Sequence, residues 1–362
     1  MLKNNKHTII LMFLLILLSF LSLFVGVIDI KLAEIFRGNS EQLQVLFLSR
    51  LPRLLAILCT GIGMSIAGLI MQSLVMNKFV SPTTGATISS AQFGILISLL
   101  FIPNSTLIGR SIFSFIFAIL GTWVFVWFTQ RIKFKDVIMV PLIGIMFNTV
   151  IRGITSFLAF QFGMNQSLST WMTGSFSLII KGRYEIVYMV VPLVIIAFIF
   201  ANYFNIVGMG KDFSQNLGVP YNIVLILGLT ITAMITASII VIVGAISYIG
   251  LIVPNIVTMY KGDKLRGNLI DTGLFGALFV LICDVIGRTI IAPYEIPIEL
   301  VVGVIGSVIF IVLIFIKLKK GNHVFKLFNK KRIWSIKNGL GSSCERDSTS
   351  ILCHDPKGDL GK

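Results

Sequence analysis

The sequence predicts an all-α polytopic membrane protein with about ten transmembrane helices. Three observations lead there. Of 362 residues, 56% are hydrophobic and 12% charged, against roughly a quarter charged in an ordinary soluble domain. The mean hydropathy of +0.95 means that apolar residues come in continuous runs rather than on one face of each element, which excludes a water-soluble globular enzyme. The runs do not alternate apolar with polar residues, so a lipid-facing barrel is excluded too. In hydrocarbon every backbone polar group must be paired within the chain, and such runs fold as helices of about 20 residues.

The first run, 9–28, follows Lys3 and Lys6 as a signal peptide would, but it is long and lacks a small-x-small cleavage site before Asp29. It is read as a span. The second, 53–74, is entered through Arg50-Leu-Pro-Arg53; proline is tolerated at a helix start, and the two arginines are expected to project at the outer surface. The third, 85–102, follows Asn77-Lys78-Phe79-Val80-Ser81-Pro82-Thr83-Thr84-Gly85, where a helix must break. Spans 111–130 and 137–160 come next, the latter with the polar guests Asn148, Thr149 and Arg152. The stretch 163–185, holding Trp171, Gly174 and Ser175, is too polar to cross and fits a short helix near the outer surface. Spans 186–205, 222–242, 246–261, 270–291 and 297–316 complete the set. The segments 53–102 and 243–262 are interrupted by Gly, Pro and polar residues, so they are expected inside the bundle rather than against lipid. Small residues such as Gly63 and Ala67 suit close helix contact there.

An even number of spans puts both termini on one side. Lys78, Arg131-Ile-Lys133-Phe-Lys135, Lys211, Lys261, Lys264, Arg266 and a Lys/Arg-rich tail all fall on the side of the N-terminus. That side is expected to be the cytoplasm, in a multi-pass protein of the cytoplasmic (inner) membrane. The net charge of +15 is then a membrane-orientation signal rather than a nucleic-acid footprint. Four cysteines are too few for a disulfide framework and are read as free thiols.

Ionisable residues inside spans are functional hypotheses by default. Here they are Arg50, Arg53, Arg152, Asp284, Arg288, Glu295 and Glu299. Asp284 and Arg288 share a helix face at i, i+4 and can neutralise one another, whether as a structural pair or in transport. His7, His323 and His354 lie outside the spans, so no proton relay is expected. Cys344 and Cys353-His354 lack the spacing of a zinc site, and no metal site is expected. Gly208-Met-Gly210-Lys211-Asp212 lacks the spacing of a phosphate loop, so the chain is not expected to bind ATP. The connection 205–220 reads as one or two short amphipathic helices at the membrane surface, open to a soluble partner.

Taken in order, five strings resemble the FecCD-type permease family, the membrane subunits of importers for iron-siderophores, haem or cobalamin. The family's LPR entry is similar to Leu51-Pro52-Arg53, and its G-x-x-x-A-G-x-x-x-Q string to Gly63, Ala67, Gly68 and Gln72. Its outer W-x-x-G-S resembles Trp171, Gly174 and Ser175. Its V-A-G-x-I-x-F-V-G-L-x-x-P-H resembles Val243 to Asn255, and its A-D-x-x-x-R with E-L-P-x-G resembles Cys283 to Arg288 with Glu295 to Glu299. The resemblance covers about 9–317. Two departures stand out: Lys78-Phe79-Val80 where the family has Pro-Leu-Ala, and Asn255 where it has His. The Asn-Lys-Phe-Val-Ser-Pro variant looks like the branch for catecholate-type siderophores.

The resemblance implies a BtuC-like permease architecture over 1–320, followed by a basic cytoplasmic tail, 321–362, expected to be disordered. It implies a homodimer, or a heterodimer with a paralogous permease, around a central pathway. Two cytoplasmic ATPase subunits would dock on Gly210, Lys211, Asp212, Gln215, Leu217 and Gly218. An extracytoplasmic substrate-binding lipoprotein would set acidic groups against Arg50, Arg53 and Arg288. The pathway would be lined by Asn77, Ser81, Pro82, Thr83, Gly85, Asn148, Thr149 and Arg152. No cofactor is expected on this chain; ATP belongs to the partner subunit. The cargo is expected to be a ferric siderophore, with haem or cobalamin as alternatives. A secondary transporter using the break at 77–85 and the Asp284–Arg288 pair is the reading from another class, and a membrane-embedded enzyme lacks the clustered carboxylates it would need.

Overall fold

The computed structural model describes residues 2–26, 40–83, 85–102, 106–131, 139–177, 179 and 185–316. The tail 321–362 lies outside the described residues. By contacts the chain separates into Met1–Val308 and Ile309–Lys362; of the second unit only 309–316 are described, as the end of a helix.

Every expected span is found as a helix, but their lengths differ in an informative way. α1 is Leu2–Phe24. α2, Ser40–Val45, leads through a π-helical turn, Leu46–Arg50, into α3, Leu51–Leu74. The second span therefore starts upstream of the expected Arg53, and the apolar helix Gln42–Leu74 is 33 residues long. Pro52 cannot donate to a carbonyl one turn back, which ordinarily stops a helix. Here the wider turn, closed by the Leu51 N–H on the Leu46 carbonyl, lets the helix run through it.

α4, Thr87–Phe101, follows the break. α5 is Leu107–Arg131, α6 Met139–Gln161 and α7 Asn165–Met172, the short helix expected in 163–185. The expected span 186–205 is bent by 61° between α8, Val190–Ile199, and α9, Ala201–Val207. α10, Lys211–Asn216, precedes α11, Tyr221–Val243. α12 is Ile249–Lys261, α13 Leu265–Thr289 and α14 Ile298–Ile316.

Among the described residues seven helices are long and apolar enough to cross a membrane, or eight with the bent pair counted as one. α4 and α12 are the exceptions, with 15 and 13 residues. At 1.5 Å per residue each covers only about 20 Å, well short of a hydrocarbon core of about 30 Å. Both expected spans, 85–102 and 246–261, are thus shortened by breaks at their N-terminal ends. Tyr248, at φ 69, marks where the chain turns into α12.

The core is α3 packed against α13, α11 and α12, with α4 on α5 and α1 on α13. Backbones touch where glycines permit it: a Cβ at Gly61 would stand 2.6 Å from the Gly276 carbonyl oxygen. Gly63, expected to be a contact point, faces the side chains of Val190, Ile235 and Ile239 rather than a neighbouring backbone. As expected, the interrupted segments lie inside: over an apolar stretch of 18 residues in each span, 83% is buried for α3, against 6% for α1 and 17% for α6.

Candidate functional site

At the end expected to face outward, five charges meet. Arg53 donates from Nη2 to Asp284 at 2.8 Å and from Nη1 to both oxygens of Glu295, at 2.8 and 2.9 Å. Arg288 pairs with the other oxygen of Asp284 at 2.6 Å and donates to the Ser22 hydroxyl at 2.6 Å and the Val25 carbonyl at 2.7 Å. Arg50 donates to the same Val25 carbonyl, also at 2.7 Å. Ser177 closes the set, donating to Glu295 at 2.5 Å. The expectation that Arg50 and Arg53 project is corrected: Arg50 is 9% exposed and the Arg53 side chain 11%. A charge taken out of water needs a partner close by, and the fold supplies two carboxylates that lie far away in sequence. Burial raises the Glu295 carboxyl, but the Ser177 hydroxyl, Arg53 and Arg288 outweigh it and hold the group below the usual carboxylate range.

At the opposite end, the break between α3 and α4 is bounded by two residues in the left-handed region, Met76 at φ 53 and Ala86 at φ 63. A side chain there costs on the order of 1–2 kcal/mol, a conformation that persists only where its surroundings impose it. Those surroundings are hydrogen bonds. Asn77 Oδ1 accepts from the Phe79 N–H at 2.9 Å, Ser81 and Thr83 join hydroxyls at 2.6 Å, and the Gly85 N–H meets the Ser81 carbonyl at 2.8 Å. Asn148, on α6, donates to the Thr83 carbonyl at 2.8 Å and accepts from Ser89 at 2.7 Å. Asn255, on α12, donates to the carbonyls of Lys78 at 2.8 Å and Leu251 at 2.7 Å.

α12 sits against this segment through a proline. Pro254 has no N–H for the Gly250 carbonyl, and Gln72 of α3 offers its amide there instead, at 3.2 Å, and to Leu251 at 3.3 Å. The approach is close enough that a Cβ at Gly68 would collide with the Gly250 carbonyl, while one at Gly250 would stand 3.2 Å from Pro82 Cδ.

The structure thus gathers Asn77, Ser81, Pro82, Thr83, Gly85 and Asn148, all expected, with Gln72 and Asn255, which carried only motif positions in the sequence. Thr149 and Arg152 are not in this cluster; they stand on the exposed side of α6, Thr149 bonded back to the Ile145 carbonyl at 2.9 Å. Nothing in the sequence marks Gln72 as the donor to a carbonyl 178 positions away, except the proline that frees that carbonyl.

Next to the break lie α9 and α10. Gly210, at φ 112, turns the chain between them. Ser214 is buried and donates to the carbonyls of Gly210 at 2.7 Å and Ile206 at 3.1 Å, pinning α10 onto α9. Lys211, Asp212, Gln215, Leu217 and Gly218 are exposed. So are Met209 and Phe213, at 59% and 48%; the apolar spacing within 205–220 signals them, although the expected docking set includes Leu217 as its one large apolar side chain. A cavity of about 300 Å³ separates α9 from the break, lined by Gln72, Asn77, Lys78, Asn205, Gly208 and Asp263. Lys78 and Asp263 pair at its edge at 2.7 Å. Among the described residues no group of three or more His, Cys, Asp or Glu is placed to hold a metal.

Comparison with known proteins gives one consistent result. The FecCD transport family matches residues 14–316. The chain is 47% identical over 301 residues to the petrobactin import system permease protein YclN of Bacillus subtilis (strain 168), covering 83% of this chain and 95% of that one. It is 38% identical over 315 residues to the petrobactin import system permease protein FatD of Bacillus anthracis, covering 87% and 92%. Among solved structures, a metal-chelate type ABC transporter in an inward-facing conformation superposes with a TM-score of 0.72 at 25% identity, over 86% of this chain and 99% of that one.

Proposed function

The chain belongs to the FecCD transport family and is the permease of an ATP-binding-cassette importer, and we propose that its cargo is a ferric siderophore carried across the cytoplasmic membrane into the cell. The observation that carries the cargo assignment is the 47% identity, along 95% of its length, to a permease named for petrobactin import. Haem and cobalamin are the alternatives within the same family.

In this reading both termini and the basic connections face the cytoplasm, and the chain pairs with a second copy or a paralogous permease around a shared pathway. Two ATPase subunits press on the exposed face of α10, through Gly210, Lys211, Asp212, Gln215, Leu217 and Gly218, with Met209 and Phe213 alongside. This chain lacks the spacing of a phosphate loop, binds no cofactor and leaves ATP hydrolysis to those subunits. Motion of α10 reaches α9 through Ser214. From α9 it reaches the end of α3, because a Cβ at Gly208 would stand 2.5 Å from Ser73 Oγ. It reaches the start of α13 through Asn205, whose Oδ1 accepts from the Leu265 N–H at 3.4 Å. Both elements border the segment 77–85, which closes the cytoplasmic end of the pathway, and Arg152 and Thr149 offer a cation and a hydroxyl to an anionic chelate moving along α6.

At the other end an extracytoplasmic binding lipoprotein docks over Arg50, Arg53 and Arg288. Three guanidinium groups against two carboxylates leave a positive field just beneath the surface, and steering of an acidic partner works through that field without free side chains.

Growth of a deletion strain under iron limitation, fed one purified chelate at a time, tests the cargo. Recovery of growth on ferric petrobactin only when this chain is restored supports the reading; loss of haem or cobalamin uptake instead overturns it. Transport by the reconstituted permease with no ATPase present would overturn the importer mechanism and favour a secondary transporter.

A further inference from the structure

The segment between Met76 and Ala86 is held from two helices that do not belong to its own hairpin. Asn255 of α12 takes the Lys78 carbonyl near one end, and Asn148 of α6 takes the Thr83 carbonyl near the other. Each amide is itself oriented: Asn255 by the Leu251 carbonyl one turn back on its own helix, and Asn148 by Ser89 at the start of α4. Two left-handed residues at the ends supply a conformation that relaxes when those holds are released. Asn148 stands beside the exposed pair Thr149 and Arg152 on α6, so one helix carries both the polar face turned outward and one of the two holds.

We propose that Asn148 and Asn255 are positioning residues that set the closed form of the segment 77–85. Asn148 ties the closure to the α6 wall, and Asn255 ties it to α12, so displacement of either helix draws one backbone carbonyl off its donor and opens the cytoplasmic end. Cargo against Thr149 and Arg152 is thereby sensed at the closure. This inference rests on the importer reading for its biological meaning, while the geometry of the clamp does not depend on which chelate is carried.

The test uses Ser81, which is fully buried in the closed segment. Ser81→Cys is introduced into the full chain after replacement of its four native cysteines, and labelling by a membrane-impermeant maleimide from the ATPase side is timed in proteoliposomes. With Asn148→Ala or Asn255→Ala the labelling rate is expected to rise about tenfold, the loss of one net hydrogen bond. ATP hydrolysis in the assembled transporter is expected to lose its dependence on cargo-loaded binding protein. Unchanged labelling in both folded variants overturns the proposal. Should an alanine variant fail to give a monodisperse assembly, Ser89→Ala decides, since it removes only the hydroxyl that orients Asn148: faster labelling supports the clamp and unchanged labelling overturns it. Failure of the importer reading shows separately, as a wild-type assembly that neither hydrolyses ATP in response to binding protein nor moves any chelate, and the labelling comparison still reads the clamp in that case.

Discussion

Arg53 and Asp284 are 231 positions apart in the chain and 2.8 Å apart in the structure. Asp284 is 3% exposed and serves two guanidinium groups, Arg53 and Arg288, one on each carboxylate oxygen. The pairing fastens the start of α3 to the end of α13, and through Ser22 and Val25 it also fastens the end of α1. Removal of this one carboxylate takes the ion-pair partner from buried Arg288 and leaves Arg53 with Glu295 alone. Asp284→Asn is therefore expected to destabilise the detergent-purified protein by about 3–5 kcal/mol, read as a lower unfolding temperature. Asp284→Asn combined with Arg288→Met is expected to recover part of the loss; a double variant less stable than the single one would contradict the shared-carboxylate account.

Glu295, expected inside a span, stands in the structure between the end of α13 and the start of α14, and its carboxyl is held below its usual range. A depressed carboxyl contributes stability that is fully present above its unfolded value of about 4.3 and is lost as the pH falls through the lower folded value. Unfolding temperature in the wild type is thus expected to fall in that acid window more steeply than in Glu295→Gln, which has nothing to lose there. Identical acid profiles would show that the contact with Arg53 carries no charge-dependent stability.

Gly68 admits no side chain because the Gly250 carbonyl occupies that space. Gly68→Ala is expected to push α12 off α3, at a cost of about 1–3 kcal/mol for overpacking, and to weaken the bonds from Gln72. Transport is expected to drop severely in proteoliposomes while far-ultraviolet circular dichroism stays helical. Wild-type transport would show that α12 tolerates the shift.

Leu217 is 56% exposed at the end of α10 and fills no part of the core. Leu217→Asp is expected to leave stability within about 0.5 kcal/mol of wild type, as for other surface changes, and to abolish stimulation of ATP hydrolysis by cargo-loaded binding protein. Retained stimulation would move the docking face away from α10.

Much of this was legible in the residues. Lipid solvation, the order of the helices, the short helix within 163–185 and the break at 77–85 all follow from local patterns, because hydrocarbon leaves a backbone few choices and Gly, Pro and Asn punctuate them. The Asp284–Arg288 pair was legible for the same reason, being one helical turn apart. Its connection to Arg53 and Glu295 was not. The sequence suggested arginines reaching into water at a helix entry, whereas the π-helical turn at Leu46–Arg50 carries the helix past Pro52 and brings Arg53 against α13.

The shortened α4 and α12 mark the same boundary. Hydropathy measures how long a run is apolar, and 246–261 qualifies on that measure; it does not report where the first residues turn back on themselves before the helix begins. Gln72 and Asn255 appeared in the sequence only as motif positions, with no partner to give them a role. What the sequence by itself determined is a membrane-embedded helical chain, the side it turns to the cytoplasm as an expectation, and the stretches where helices must stop. What only the tertiary structure decided is which carbonyls those stops leave bare and which distant amides and guanidinium groups satisfy them, because an unpaired polar group in hydrocarbon costs the same wherever its partner lies in the chain.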